Sequence, residues 1–439
     1  MNIAVIGTGY VGLVTGACFS EFGVHVICAD KDEDKIATLE RGEIPIYEPG
    51  LEELVARNVR GGRLSFTTDV DGAIDRALVV IIAVGTPPAE DGSTDLRFVE
   101  SVARQIGQQM RGYKVVVTKS TVPVGTSDRV RACIDEELEK RGESIRYSLA
   151  SNPEFLREGA AIGDFMRPDR VVIGTDGDDD QALAILKDLY RPLYLNETPF
   201  VETNIHTAEL SKYAANAFLA TKISFINEMS VLCDEVGGDV QAIARVMGLD
   251  NRIGKKFLHA GPGFGGSCFP KDTQSAAHFA RELGHELGIV EASIRANDRQ
   301  RERMIEKIVA SMGGDVSGGT VALLGLSFKP ETDDIREAPA LDIARGLIER
   351  GATVRAYDPA AMGPAERELP GLVCCKDAYE ALAGADVFAI VTEWNEFRAL
   401  DLDRVRQVMN APRMVDMRNI YDGAIVRAQG FEYTGVGVG

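Results

Sequence analysis

Three glycines and one acidic residue near the N-terminus form a pattern that few folds accommodate. Gly7, Gly9 and Gly12 directly follow the apolar run NIAVI and open a stretch with helical patterning, and Asp30 closes the second β-prone run. In a strand–turn–helix unit the first glycine permits the tight turn. The second lets the backbone approach a pyrophosphate, and the third allows close packing of helix on strand. The segment therefore predicts a dinucleotide-binding unit in which Asp30 accepts hydrogen bonds from ribose hydroxyls.

The acidic residue also indicates which dinucleotide is bound. A carboxylate at Asp30 would repel a 2′-phosphate, so the pattern predicts NAD rather than NADP. Lys31 and Lys35 weaken that preference. These two lysines are explained equally well as solvated charges at a helix start and as contacts to ribose or phosphate.

Short β-prone runs alternate with helical stretches in two blocks of the chain. The first block predicts a doubly wound parallel sheet from runs at 2–6, 24–29, 78–84, 114–118, 147–151 and 170–174. The second block predicts a smaller sheet from runs at 320–325, 352–357, 386–391 and 413–417, with a helix at 338–349. Between the blocks, periodicity predicts a long helix at 204–236 and further helices at 241–247, 272–287 and 290–310.

These patterns predict an α/β fold with three parts. An N-terminal doubly wound, Rossmann-like domain would cover 1–200, and a smaller C-terminal Rossmann-like α/β domain would cover 313–439. The central part, 201–312, would contain the long helix as a connector and dimer seam together with a glycine-rich cysteine loop.

Charge and composition exclude several classes of protein. A net charge of -19 argues against a nucleic-acid partner, so any phosphate-bearing ligand must be held locally. No signal-peptide pattern and no run of roughly 18 apolar residues occurs, and we expect a cytoplasmic protein without a membrane segment. The seven cysteines include no Cys-x-x-Cys and the five histidines show no metal-ligand spacing. We therefore expect free thiols and no metal.

The segment GPGFGGSCFPKD is the second informative stretch of the chain. Its glycines, from Gly261 to Gly266, leave the backbone free to approach a ligand. Cys268 lies just before a predicted helix start with Lys271 close by, and both features favour the thiolate. An isolated cysteine is usually a small buried residue, but this loop favours a reactive thiol.

Polar residues elsewhere form weaker patterns. Lys212 and Asn216 are four residues apart on the long helix and could converge on one substrate oxygen, although a solvated face is the commoner explanation. Glu154 and Glu158 follow a predicted strand at the sheet edge where such folds bind ligands. A general base and capping of a helix N-terminus explain this position equally well.

Two further loops follow predicted strands. Thr86 and Thr121 occupy equivalent strand ends, where their hydroxyls would face cofactor or substrate. Lys329 and Arg336 lie where a phosphate loop would lie in the last domain, although no Gly-x-Gly-x-x-Gly occurs there. A second nucleotide site and a surface loop of mixed charge both remain open for this segment.

Seven segments together resemble the UDP-glucose 6-dehydrogenase family in its bacterial form, within the UDP-glucose/GDP-mannose dehydrogenases. They occur in the family's order from Met1 to about Tyr421, and they are GTGYVG, VGTPP, STVPVGT, SNPEFLREG, ELSKYAANAFLATKISFINE, GPGFGGSCFPKD and GLSFKPETDDIREAP. The resemblance implies an N-terminal NAD domain, a dimerising central helix and a C-terminal domain that holds UDP. It also implies two successive oxidations of a sugar C6 alcohol, which give a uronic acid and two NADH.

The resemblance assigns the covalent step to three residues. Cys268 would add to the intermediate aldehyde, and a second hydride transfer would leave a thioester. Lys212 would stabilise the oxyanion, with Asn216 beside it.

Three more residues would move protons or orient water. Asp272 would assist the proton of water or alcohol, and Glu154 would serve as base in thioester hydrolysis. Thr121 would orient the water and contact the cofactor.

The family's binding residues also carry over by position. The cofactor contacts would be Val11, Asp30, Lys35, Thr86, Thr121, Glu158, Lys271 and Arg336. The substrate contacts, besides Glu154, Lys212 and Asn216, would be Phe155, Leu156, Arg157, Arg252, Phe257, Leu258, His259, Ala260, Gly261, Gly265, Phe328, Lys329 and Arg418. Arg252 would reach the neighbouring subunit's site, so the resemblance implies a homodimer or higher homo-oligomer.

Three alternatives remain open. A sister enzyme acting on a UDP-N-acetyl-hexosamine or GDP-mannose would share the catalytic set, but the stretch RIGKKFL from Arg252 is most similar to the UDP-glucose type. A single-hydride dehydrogenase of the 6-phosphogluconate or 3-hydroxyisobutyrate type needs no nucleophile, and the GGSCFPKD loop argues against it. An NAD-sensing regulatory protein would have no need of Cys268, Lys212 and Asp272, all of which are present.

Overall fold

The computed structural model describes residues 1–89, 91–177 and 179–438. These form two compact units, one ending at Ala215 and the other beginning at Asn216. Each unit is built on one sheet. Within the described residues, no helix is long and apolar enough to cross a membrane.

The first unit contains an eight-stranded sheet. Its strands are β1 (Asn2–Ile6), β2 (His25–Ala29), β3 (Leu64–Thr67), β4 (Val79–Ile82), β5 (Lys114–Thr118), β6 (Tyr147–Ser151), β7 (Val171–Thr175) and β8 (Phe200–Asn204). They lie in the order β3-β2-β1-β4-β5-β6-β7-β8. The helices are α1 (Tyr10–Glu21), α2 (Glu33–Glu40), α3 (Leu51–Arg60), α4 (Val70–Arg76), α5 (Arg97–Gln109), α6 (Thr126–Arg141), α7 (Ala161–Met166) and α8 (Asp180–Leu189), and a 3-10 turn covers Arg191–Asn196.

The strands from β1 to β6 are parallel, as the alternation of strand and helix predicts. Strand β7 differs, because it pairs antiparallel with β6, and β8 is parallel to β7. Only the six-residue helix α7 separates β6 from β7. A strand that returns without a full crossover helix pairs antiparallel, so the expectation of an all-parallel sheet holds only as far as β6.

Residues of β1 alternate between two hydrophobic cores. Ile3 and Val5 pack in one core, and Ala4 and Ile6 pack in the other. Because both faces of the sheet are covered, the strand is apolar at nearly every position instead of alternating. The carboxyl ends of the central strands are thereby held rigidly, and the loops that carry the candidate residues begin there.

The long helix α9 (Ile205–Val236) confirms the predicted helix at 204–236. In the second unit it is followed by α10 (Val240–Leu249), α11 (Phe269–Glu282) and α12 (Gly288–Ser311). The predicted helix at 272–287 was wrong at both ends. Pro270 is accepted in the first turn of α11, and Gly284, with φ +79°, follows the helix end.

The second unit's sheet is parallel throughout. Its order is β11-β10-β9-β12-β13-β14, with strands β9 (Thr320–Leu324), β10 (Thr353–Tyr357), β11 (Val373–Cys374), β12 (Val387–Ile390), β13 (Arg413–Asp416) and β14 (Glu432–Thr434). The accompanying helices are α13 (Pro339–Glu349), α14 (Met362–Glu368), α15 (Ala378–Leu382), α16 (Leu402–Val408) and α17 (Gly423–Ala428), with a 3-10 turn at Asn395–Ala399.

The two sheets begin in the same way. The carboxylate of Asp30 accepts hydrogen bonds from the backbone N–H and the hydroxyl of Thr8. The carboxylate of Asp358 accepts the same pair from Ser327. In each unit, an acid at the end of the neighbouring strand therefore accepts hydrogen bonds from the turn that follows the first strand. This is the Rossmann-like arrangement predicted for both units.

Candidate active site

The glycine loop after β1 has the shape that a dinucleotide requires. A Cβ on Gly12 would lie 1.9 Å from the carbonyl oxygen of Gly7, and Gly7 itself has φ +102°. A Cβ on Gly9 would meet nothing within 4 Å. Two glycines are thus needed for packing, and the third leaves open space through which a pyrophosphate could approach the backbone.

Asp30 lies at the end of β2 beside this loop. Its carboxylate accepts from Thr8, at 2.8 Å from the backbone nitrogen, and from the backbone N–H of Asp32. Burial would raise the pKa of Asp30, but these hydrogen bonds lower it below its ordinary value. An anionic acceptor at the strand end suits a ribose and disfavours a 2′-phosphate.

A buried carboxylate that sequence reasoning missed joins the dinucleotide loop to the loop after β6. Glu48 accepts hydrogen bonds from the backbone N–H groups of Gly159 and Ala161 and from the hydroxyl of Tyr10, the residue between Gly9 and Val11. Glu48 lies just before α3, and nothing in the sequence around it marked this position as functional.

The strand ends of β4 and β5 are tied together by the two predicted threonines. The hydroxyl of Thr86 donates to the carbonyl oxygen of Thr121 at 2.9 Å. Thr86 is buried, whereas Thr121 is half-buried.

The loop after β6 carries a buried ion pair with the long helix. Lys212 Nζ lies 3.0 Å from Glu154 Oε1, and both side chains are almost fully buried. The other Glu154 oxygen accepts from the backbone N–H of Leu156. This geometry excludes the alternatives of a solvated helix face for Lys212 and helix capping for Glu154, because the following residues are not helical.

Phe155 and Arg157 flank this pair. The guanidinium of Arg170 stacks 3.6 Å from the centre of the Phe155 ring, and Lys212 Nζ lies 5.3 Å from it. Arg157 is exposed and pairs with Asp164. Glu158 is half-buried in the same loop.

In the second unit, Cys268 directly precedes the first residue of α11. It is the N-cap residue of that helix and is half-buried. The positive end of a helix dipole favours a thiolate over a thiol. Ser267 Oγ lies 3.6 Å from the Cys268 sulfur.

An acid, an amide and a cation contact one another one turn into α11. Asp272 is 1% exposed, and its oxygens contact Asn216 Nδ2 at 2.6 Å and Lys271 Nζ at 2.5 Å. The backbone N–H of Asp272 donates to the carbonyl oxygen of Cys268. These four predicted residues therefore form one local cluster, with the thiol at its edge.

Helices α9 and α12 hold the glycine-rich loop through side-chain amides that sequence reasoning missed. The side-chain amide of Asn297 accepts a hydrogen bond from the backbone N–H of Phe264 and donates one to the carbonyl oxygen of Phe264, which is the pairing that a neighbouring β-strand would provide. Gln300 donates to the carbonyl oxygen of Gly261, and Asn227 accepts from that residue's N–H. Polar residues on a helix pattern gave no signal of this role.

The glycine-rich loop packs against the loop after β9. A Cβ on Gly266 would lie 2.7 Å from the Phe328 ring, and one on Gly265 would lie 2.2 Å from the carbonyl oxygen of Glu337. Phe257 adopts φ +64°, which is rare for an aromatic residue and marks local strain. Lys329 Nζ lies 5.2 Å from the Phe328 ring centre.

A cavity of about 550 Å³ opens beside this loop within the second unit. Four predicted substrate residues line it: Leu258, His259, Ala260 and Arg418. Arg418 donates to the carbonyl oxygen of Val391 and pairs with Glu393 at 2.9 Å, which fixes its guanidinium. The volume suits part of a nucleotide.

Three predicted basic residues instead lie at the surface beside acids of their own segment. Lys35 pairs with Asp32, Arg252 with Asp250, and Arg336 with Asp334. Among the described residues, no group of three or more His, Cys, Asp or Glu side chains is arranged to hold a metal ion.

Models of one protein family match three consecutive parts of the chain. They are described as the NAD binding domain, the central domain and the UDP binding domain of the UDP-glucose/GDP-mannose dehydrogenase family, and they cover residues 1–194, 206–299 and 322–423. This chain belongs to the UDP-glucose/GDP-mannose dehydrogenase family.

Individual members of the family match over their whole length. The chain is 52% identical to UDP-glucose 6-dehydrogenase of Rhizobium meliloti over 438 residues, which is 100% of this chain and 99% of that protein. The structure of a UDP-glucose dehydrogenase from Pyrobaculum islandicum superposes with a TM-score of 0.92 at 39% identity, covering 100% and 98% of the two chains. The UDP-D-ManNAc dehydrogenase from Pyrococcus horikoshii gives 0.86 at 26% identity, covering 100% and 99%.

Family membership makes the protein an NAD-dependent oxidoreductase with a UDP-binding domain. The predicted resemblance, fold class and cofactor are thereby confirmed. The glycine loop and Asp30 are the features of this chain that fit NAD.

Proposed function

We propose that this protein oxidises the C6 hydroxyl of UDP-glucose to a carboxylate, consuming two NAD and one water per sugar. The observation that carries the proposal is the placement of Cys268 at the start of α11, with Asp272, Lys271 and Asn216 gathered behind it. A dehydrogenase that stopped at the aldehyde would need no such thiol.

The first oxidation removes a proton and a hydride from the C6 alcohol. NAD, when bound at the glycine loop, supplies the hydride acceptor. Lys212 stabilises negative charge on the substrate oxygen as the proton leaves, and Asn216 donates beside it. Asp272 assists the proton, since its carboxylate is already hydrogen-bonded to Asn216.

The aldehyde is then captured. The Cys268 sulfur adds to C6 and forms a thiohemiacetal, whose oxygen is held by the same donors. A second hydride leaves C6 and the hemiacetal proton is released, which produces a thioester. The intermediate stays bound to the protein throughout.

Water completes the reaction. Glu154 takes a proton from a water that Thr121 orients, and the resulting hydroxide attacks the thioester carbonyl. The C–S bond breaks, the carboxylate leaves and the thiol of Cys268 is restored. Lys212 Nζ lies 3.0 Å from Glu154 Oε1, so the proposed base and the proposed oxyanion donor are adjacent.

We assign the UDP portion to the second unit. The cavity lined by Leu258, His259, Ala260 and Arg418 supplies apolar contact and one fixed cation. Phe328 and Lys329 lie on the adjoining loop, where an aromatic ring and an ammonium suit a base and a phosphate. The domains would then be 1–200 for NAD, 201–312 for the catalytic cysteine loop, and 313–439 for UDP.

The proposal includes a homodimer. Phe218, Phe225 and Leu232 lie seven residues apart on α9 and are each more than two-fifths exposed, so they form one apolar stripe along the helix. Arg252 is largely exposed as well, and it would complete the substrate site of the neighbouring subunit. A half-buried reactive thiol also suits a reducing compartment, so we place the enzyme in the cytoplasm.

The dimer can be tested by complementation. Neither Arg252→Ala nor Cys268→Ser should turn over alone. A mixed dimer of the two should recover activity, because one of its sites keeps both residues. If the mixture stays inactive although native mass spectrometry shows mixed dimers, Arg252 does not act across the interface.

The substrate can be tested by following NADH absorbance with NAD and one sugar nucleotide at a time. UDP-glucose should be oxidised with two NADH per sugar, and UDP-N-acetylglucosamine, UDP-N-acetylmannosamine, UDP-galactose and GDP-mannose should be poorer. A higher kcat/KM with an N-acetylated sugar would make this protein a sister enzyme. One NADH per sugar would rule out the covalent route.

A further inference from the structure

A second buried lysine of the first unit interacts electrostatically with both Glu154 and Lys212. Lys119 follows β5 directly and is 3% exposed. Its Nζ atom lies 3.1 Å from Asn152 Oδ1 and 3.2 Å from the hydroxyl oxygen of Tyr190. A buried ammonium group is costly, and a fold keeps one only when its surroundings compensate it.

The partners of Lys119 fix the start of the loop that carries Glu154. The Oδ1 atom of Asn152 accepts hydrogen bonds from the Lys119 ammonium and from the Tyr190 hydroxyl, and Nδ2 of Asn152 donates to the carbonyl oxygen of Val172. Its backbone N–H donates to the carbonyl oxygen of Thr118, the residue before Lys119. Glu154 is only two residues beyond this anchor, so the direction of its carboxylate is set from here.

Charge links the same groups. The negative charge of Glu154 stabilises the Lys119 ammonium, and the positive charge of Lys212 opposes it. Burial is the largest effect and lowers the pKa of Lys119 to about 8. Burial also raises the pKa of the other ionisable neighbours, Cys18 and Tyr190, so both are uncharged at neutral pH.

We propose that Lys119 is a positioning residue for the oxidation, which holds the Asn152 anchor of the loop that carries Glu154 and adds a second positive charge to the site. This inference rests on the proposed roles of Glu154 as base and Lys212 as oxyanion donor. One carboxylate together with two ammonium groups leaves a net positive charge, which suits an oxyanion.

Loss of the Lys119 charge has a directional consequence. Without it, protonation of Glu154 becomes easier, and activity should fail at a higher pH on the acid side. The acid limb of the pH profile of kcat/KM should therefore move upward, by about one pH unit.

The experiment compares Lys119→Met with Lys119→Arg and Lys114→Met. Lys114 is equally buried at the opposite end of β5, where it donates to the carbonyl oxygens of Asp75 and Ala77. Lys119→Met should raise the acid limb, and Lys119→Arg should restore the parent profile. Lys114→Met should cost stability without moving either limb. If Lys119→Met does not fold, Lys119→Gln provides the second neutral variant.

A substrate-free measurement separates this inference from the proposed function. The carboxyl signal of Glu154 in carbon-13 NMR, assigned by its absence in Glu154→Gln, should titrate about one unit higher in Lys119→Met. An unmoved acid limb together with an unmoved Glu154 titration would overturn the role of Lys119. A parent protein that oxidises no sugar nucleotide would overturn the proposed function, while the carboxyl titration would still decide the electrostatic link.

Discussion

Lys212 Nζ and Glu154 Oε1 lie 3.0 Å apart, with 4% and 6% of the respective side chains exposed. The two residues come from α9 and from the loop after β6, elements that the sequence separates by more than 50 positions. Their pairing brings the residues that we propose as base and oxyanion donor to one place.

Lys212→Ala should lower turnover by roughly 10²–10³-fold, the usual cost of one oxyanion donor, with a smaller change in KM. It should also destabilise the fold by about 3–5 kcal/mol, because the buried Glu154 carboxylate loses the ammonium group that lies 3.0 Å away. The double variant Lys212→Met/Glu154→Leu separates the two effects. It should regain stability in thermal denaturation but no activity, and unchanged turnover in Lys212→Ala would remove the residue from the mechanism.

The glycine loop allows a matched pair of substitutions. Gly9→Ala should fold as well as the parent, since nothing lies within 4 Å of the added Cβ, yet its methyl group would stand where the pyrophosphate approaches. Gly12→Ala should destabilise the unit itself, because its Cβ would lie 1.9 Å from a backbone oxygen. Calorimetric NAD titration and thermal melting distinguish them, and parent-like NAD affinity in Gly9→Ala would contradict the assignment.

Asp30→Asn should weaken NAD binding and narrow the preference for NAD over NADP, because repulsion of a 2′-phosphate disappears while one acceptor oxygen remains. The carboxylate's hydrogen bonds lower its pKa in the folded state. Its contribution to stability is therefore present above the unfolded-state pKa and lost as the pH falls through the folded-state value. The substitution should abolish this contribution to the pH dependence of folding stability on the acid side. A parent enzyme that already prefers NADP would refute the role of Asp30.

Cys268→Ser should nearly abolish steady turnover while folding and NAD binding persist. Serine keeps a nucleophile of similar size but a much less reactive one, and any acyl intermediate becomes an ester that hydrolyses slowly. Intact-protein mass spectrometry after incubation with NAD and UDP-glucose should show a fraction carrying the uronosyl nucleotide. Cys374→Ser is the matched control, because Cys374 is also half-buried, and it should keep two NADH per sugar without an adduct. Parent-rate turnover in Cys268→Ser would eliminate the covalent mechanism.

Local chemistry was sufficient for part of the fold and of the candidate site. The tight turn at Gly7, the packing of Gly12 and the acid at Asp30 depend on residues near one another in the chain, so spacing alone predicted them. The uninterrupted periodicity of α9 predicted that helix almost to the residue. The placement of Cys268 before a helix was likewise a local property.

Only the tertiary structure decided which buried polar residues contact one another. Lys119 meets Tyr190 across 71 positions and Glu48 meets Gly159 across 111, and the sequence near each residue carries no mark of its partner. The reversal of β7 was similarly hidden, because strand direction depends on how the chain crosses the sheet. Periodicity reports which face of an element is buried. The partner that compensates a buried charge is set when distant parts of the chain are brought together, and this is what places Lys212 beside Glu154.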